Sequence, residues 1–142
     1  VRVLVDSCVW SLALRRSPAA TRHSHAETEA VSILQALVRE HRVVLVGPIR
    51  QEVLSGIRSE TQFELVRERL RAFPDLPLNE EDHELAARHW NRCQRRGIQG
   101  SHTDLLLCAV AERHELALLT LDRDFSRFSQ VLGTRLVAQA NN

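Results

Sequence analysis

Residues Gly100 to Phe125 read GSHTDLLLCAVAERHELALLTLDRDF, and this stretch decides the fold. A polar lead-in (Gly100, Ser101, His102, Thr103) precedes an acid, Asp104, and then Leu105 to Ala111 runs apolar on every side. A helix without a polar face is a buried helix. Ala117, Leu118 and Leu119 then read as a short buried strand that runs into Thr120, Asp122 and Asp124. Open α/β sheets bind ligands at the carboxyl ends of their strands. An acid opening a buried helix, with more acids where the next strand ends, suggests a site carried by rigid elements.

Upstream, Val1 to Val5 is a β-branched, apolar strand ending in Asp6, with Ser7 as the expected cap of a helix over Cys8 to Leu14. His25 to Glu40 has helical spacing, and Val43 to Val46 is a second buried strand. Gly47-Pro48 turns the chain into a helix with Ile49, Val53, Leu54 and Ile57 inward, Glu52 at the edge of that face and Gly56 within it. Further helices are predicted over Ser59 to Phe73 and, behind an Asn79–Asp82 capping box, to Arg96. Pro74 to Leu78 reads as extended, and Leu136 to Ala138 as a last edge strand. Short buried strands alternating with helices predict an α/β chain with a central parallel sheet covered on both faces. No repeat or inner boundary interrupts residues 1–142, so a single domain is expected.

The hydrophobic fraction of 44% supplies a core, and a net charge of +1 favours no class of partner. All 19 basic residues are Arg. The lack of Lys excludes the Walker A phosphate loop, Schiff-base chemistry and a receiver-domain phosphorylation site. Cys8, Cys93 and Cys108 are scattered and odd in number, as expected of free thiols in a reducing cytoplasm. No apolar run is long enough to span a membrane.

Asp6, Glu52, Asp104 and Asp122 all fall at element ends or faces near one predicted sheet edge. Each has a plain structural explanation: Asp6 as a helix cap, Glu52 as a solvated helix residue, Asp104 as a first-turn acid, Asp122 and Asp124 as turn acids. Together they form a set of like charges with no Lys to offset it. A divalent cation offsets it, and all-oxygen ligands favour Mg²⁺ or Mn²⁺. Such an ion can bind a phosphate oxygen and activate water for in-line attack at phosphorus.

Four motifs carry a family resemblance. VLVDSCVW resembles the opening of PIN-domain nucleases, more closely of VapC-type toxins from toxin–antitoxin modules. QEVLSGI, GIQGSHTDLLLCAVAERH and LLTLDRDF resemble the second, third and fourth motifs, in order and over nearly the whole chain. The resemblance implies a three-layer α/β/α sandwich and a Mg²⁺- or Mn²⁺-dependent endoribonuclease. It places the metal-binding acids at Asp6, Glu52, Asp104 and Asp122, with Asp124 as an extra. It also implies an RNA substrate, a cognate antitoxin that blocks the site, and a homodimer. Cys8 departs from the Ser or Asn usual at its position, which leaves Ser7 and Thr120 as hydroxyls that could orient Asp6.

Arg15, Arg16, Arg92, Arg95 and Arg96 are candidate phosphate contacts flanking the acidic edge. Aromatic residues amount to 4%, with no Tyr, so base stacking is expected to count for little. The apolar faces of Ser7–Leu14 and Ser59–Phe73 suit either internal packing or a partner helix. Two other classes compete: a PIN-like module that binds RNA or protein without cutting, and a haloacid-dehalogenase-type phosphatase. The phosphatase needs DxD after the first strand, where this chain has Asp6-Ser7-Cys8.

Overall fold

Three short parallel strands carry the molecule: β1 (Val3–Val5), β2 (Val43–Val44) and β3 (Ala117–Leu119), in the order β2-β1-β3. A computed structural model describes residues 1–15 and 23–138. Val3 stands opposite Val43 on one side and Ala117 on the other. Single parallel bridges, Leu45 to Asp75 and Leu118 to Leu136, widen the sheet at both edges. The expected extended segments at Pro74–Leu78 and Leu136–Ala138 are therefore edge contacts of one or two residues. Apolar β-branched residues and Leu fill the strands because both faces are covered; Leu4, Val5, Leu118 and Leu119 are wholly buried.

Among the described residues seven helices surround the sheet: α1 (Ser7–Leu14), α2 (His25–Arg39), α3 (Gly47–Leu54), α4 (Glu60–Leu70), α5 (Glu80–Arg95), α6 (His102–Arg113) and α7 (Asp124–Leu132). Neighbours among α1 to α4 pack on one another, as do α5, α6 and α7, giving the parallel sheet covered on both faces that the alternation predicts and the three-layer α/β/α sandwich that the family resemblance implies. In α6 every residue from Leu105 to Ala111 is buried. Each such Leu stabilises the fold by about 2 kcal/mol, so the helix that presents Asp104 is among the most firmly anchored elements.

Three local expectations are corrected. Asp6, not Ser7, is the N-cap of α1; its carboxylate accepts from the Ser7 amide. Gly56 is not inside a helix, because α3 ends at Leu54 and Gly56 has φ +86, a left-handed conformation open to glycine. Helix α7 has no counterpart in the motif reading, which treats Asp122 and Asp124 only as strand-end acids. Its signal is Phe125, Phe128 and Val131 at helical spacing, all buried, with Gly133 directly after.

Gly100 owes its identity to a close approach. A Cβ there would stand 2.6 Å from Phe128 Cζ and 2.7 Å from Leu105 Cδ2, both on wholly buried side chains. Gly100→Ala is expected to cost about 1–3 kcal/mol through overpacking. Paired urea melts of variant and wild type measure it, and equal stability would show that Phe128 yields freely.

The Asn79–Asp82 capping box is present as expected, and Asp82 has a second task. It is completely buried, and its Oδ1 accepts from Arg113 Nη1 at 2.6 Å and lies 3.1 Å from His114 Nε2. Burial alone would raise this carboxyl. The bonds from the Asn79 amide, Arg113 and His114 outweigh it and hold the group below the ordinary carboxylate value. This cluster ties the start of α5 to the end of α6.

Candidate metal centre

Parallel β1 and β3 end side by side, so Asp6 and Thr120 emerge at the same edge of the sheet. Asp6 is fixed on all sides. Its amide donates to the Leu119 carbonyl at 2.9 Å, and its own carbonyl accepts from the Val9 and Trp10 amides of α1. Its Oδ1 accepts from the Ser7 amide at 2.8 Å and its Oδ2 from the Thr120 hydroxyl at 2.7 Å. The Thr120 hydroxyl oxygen in turn accepts from the Asp122 amide at 3.0 Å, and Asp122 Oδ1 accepts from the Asp124 amide at 2.9 Å. One chain of hydrogen bonds thus links Asp6 through Thr120 to Asp122 and the start of α7. Thr120 is the orienting hydroxyl; Ser7 contributes its amide.

Cys8 stands beside this relay. Its Sγ lies 3.7 Å from Asp6 Oδ2 and accepts from the Leu121 amide at 3.5 Å. Burial, and then the Asp6 charge, push the Cys8 thiol up, so it stays a neutral, weak donor. Deep burial likewise drives Cys108 up to about 12, and all three cysteines are free.

Asp104 reaches the same edge from α6. It is the third residue of that helix and closes a capping box with Ser101: the Asp104 amide donates to Ser101 Oγ at 3.0 Å, and Asp104 Oδ2 accepts from the Ser101 amide at 3.3 Å. Burial raises its carboxyl. The two Ser101 bonds oppose that, and the nearby Asp122 and Asp6 carboxylates raise it further. Asp6, Asp104 and Asp122 therefore lie close enough for their charges to repel.

The other candidates have their own surroundings. Glu52 is exposed on α3 and makes no hydrogen bond or ion pair among the described residues. It is the sixth residue of α3, the helix that follows β2. Asp124 pairs with Arg127 at 2.6 Å. Arg15 caps α1 and donates to the Ser55 carbonyl at 3.4 Å, with Nη2 3.8 Å from where a Cβ of Gly56 would lie. It is the group that approaches beside Glu52's helix. Arg92, Arg95 and Arg96 are exposed at the carboxyl end of α5, which the Gly97–Gly100 loop joins to the start of α6. Arg16 lies outside the described residues.

The donor set fits a hard divalent cation, since it is all carboxylate and mutually repelling. The spacing is looser: among the described residues no three His, Cys, Asp or Glu side chains are grouped closely enough to hold a metal ion as they stand. No described helix is long and apolar enough to cross a membrane.

Solved structures of the same fold cover nearly the whole chain. FitAcB from Neisseria gonorrhoeae is 20% identical with a TM-score of 0.70, over 95% of this chain and 96% of that one. VapBC2 from Rickettsia felis, bound to a DNA fragment from its promoter, is 13% identical with a TM-score of 0.73, over 96% and 98%. VapBC-5 from Mycobacterium tuberculosis, of the VapBC family of toxin–antitoxin systems, is 17% identical with a TM-score of 0.67, also over 96% and 98%. At these identities the likeness speaks for the fold. No curated protein sequence matches the chain. The sequence profile of the PIN domain matches residues 3–131, from β1 to the last turn of α7. With that match spanning the sheet, the carboxylate edge and all seven helices, the chain belongs to the PIN domain family.

Proposed function

We propose that this chain is a Mg²⁺- or Mn²⁺-dependent endoribonuclease, the toxin of a toxin–antitoxin pair, with residues 1–142 acting as one nuclease domain. The observation that carries the reading is the convergence of Asp6, Asp104 and Asp122, with Asp6 and Asp122 locked to one Thr120 hydroxyl. Membership of a family of nucleic-acid hydrolases sets the reaction class. Asp6, Glu52, Asp104 and Asp122 would hold the metal. The bound ion supplies Lewis acidity at a phosphate oxygen and an activated water. The relay keeps Asp6 and Asp122 in place, so little reorganisation is needed when substrate arrives. Arg15, Arg16, Arg92, Arg95 and Arg96 hold flanking phosphates. The toxin–antitoxin neighbours of this fold support a cognate antitoxin; a homodimer and a cytoplasmic setting belong to the same toxin reading.

The test is incubation of purified protein with single-stranded and structured RNA, in Mn²⁺ and in chelator. Internal cleavage in Mn²⁺ that chelator stops is the expected result, with no release of phosphate from a chromogenic ester. A second reading, a module that binds RNA without cutting it, draws on one observation: among the described residues no complete metal-binding cluster is grouped. RNA retained intact in Mn²⁺ would select that reading over the nuclease.

A further inference from the structure

We infer that Trp90 and His102 form a stacking platform for one base of a single-stranded RNA beside the scissile phosphate, and that this platform sets sequence preference. The inference deepens the nuclease reading and rests on it for the position of the cut. Trp90 lies on α5 and His102 is the first residue of α6; their rings stack with centroids 5.4 Å apart and planes 22° from parallel. Trp90 is half-buried and His102 exposed, so the imidazole is the ring an incoming base meets first. A cavity of about 230 Å³ adjoins the pair, lined by His83, Ala86, Ala87, His102, Thr103 and Leu106. Its lining joins aliphatic side chains, Ala86, Ala87 and Leu106, with two imidazoles and the Thr103 hydroxyl, which suits a flat heteroaromatic base.

The surroundings favour a nucleic acid strand. Arg92, Arg95 and Arg96 are exposed at the nearby end of α5, and their side chains make no hydrogen bond or ion pair among the described residues. Arg67, Arg113 and Arg127, by contrast, are each held by acids. Unneutralised guanidinium groups beside stacked aromatic rings are the two elements of single-strand binding, backbone attraction and base stacking. His102 stands two residues before Asp104 in the same helix, on nearly the opposite side of its axis. A strand whose phosphate lies at the carboxylates crosses the start of α6 to bring a neighbouring base to His102. The scarcity of aromatic residues in the sequence conceals this, because what counts is that one of the two Trp residues is placed here.

Trp10 is 2% exposed, so a change in tryptophan emission on adding RNA reports Trp90. Short single-stranded oligoribonucleotides of each base are titrated in chelator, where cutting is not expected. Binding should quench the emission, and His102→Ala, and Trp90→Leu read by filter retention of labelled RNA since it lacks the reporter, should each weaken binding by about 5- to 150-fold, the range for one lost stacking contact. In Mn²⁺, sequenced cleavage ends should show a changed base preference for His102→Ala, with KM raised and kcat nearly kept. His102 is exposed, so its variant tests the idea even where Trp90→Leu fails to fold. Unquenched emission, or His102→Ala binding and cutting as wild type does, overturns the platform and leaves the nuclease untouched. Quenching that depends on His102 in a protein that never cuts RNA upholds the platform and removes the nuclease.

Discussion

Asp104→Asn is expected to lower RNA cleavage by at least about a thousandfold in Mn²⁺, while the metal-free protein becomes as stable as wild type or more so. Loss of a metal ligand removes several kcal/mol of charge stabilisation at the transition state, and each 1.36 kcal/mol is tenfold in rate. The stability half follows from sign. The Asp104 carboxyl is raised in the folded state by burial and by Asp122 and Asp6. A raised acid binds its proton more tightly when folded, so its charged form weakens the fold above that raised value. The penalty fades as pH falls through the folded value towards the unfolded one, near 3.9. Asn carries no charge and keeps an oxygen for the Ser101 amide, so the penalty goes and the capping geometry stays. Mn²⁺ binds the folded chain only; at about 100 times its Kd it should add about 2.7 kcal/mol to wild type and much less to the variant. Cleavage assays and thermal melts in chelator and in Mn²⁺ read all of this together. A variant clearly destabilised in chelator that keeps the full Mn²⁺ shift would make Asp104 a plain helix-start acid.

The parts of this molecule legible in the sequence are those fixed by one-dimensional pattern. Leu105–Ala111 and Ala117–Leu119 could be placed because a run apolar on every side has nowhere to sit but the core. The Asn79–Asp82 box was legible because capping acts over three residues. What escaped depends on contacts distant in the chain. Nothing local shows that Thr120 would bond Asp6, 114 positions away, while Cys8 stays a weak neighbour. Nor does spacing tell that Gly100 sits against Phe128. Helix α7 was hidden for another reason. Its apolar spacing is plain in Phe125, Phe128 and Val131, but the acids that begin it draw the reading to chemistry.

Asp82→Ala is expected to destabilise the protein by about 3 kcal/mol at neutral pH without affecting cleavage while the chain is folded. Removing one partner of a buried ion pair typically costs about 3–5 kcal/mol, because the other charge is left without compensation. Here Arg113 and His114 keep 25% and 24% of their side-chain exposure, so water takes up part of the loss. Losing the reciprocal cap with Asn79 adds roughly 1 kcal/mol, which brings the sum back to about the lower end of that range. In a domain of this size the midpoint should fall by about 6–12 °C. The pH dependence separates a charge effect from lost packing. The Asp82 value is depressed in the folded state, so its contribution is present above the unfolded value, near 3.9, and is lost as pH falls through the folded one. Wild type should therefore lose stability on acidification where Asp82→Ala loses less, and their urea melts should converge below the folded value. Arg113 follows Asp104 by nine residues in α6, about 14 Å along the axis, so the carboxylate edge is out of reach of the change. Curves that stay parallel down to strong acid would mean that the buried Asp82 acts through its shape and cap rather than its charge.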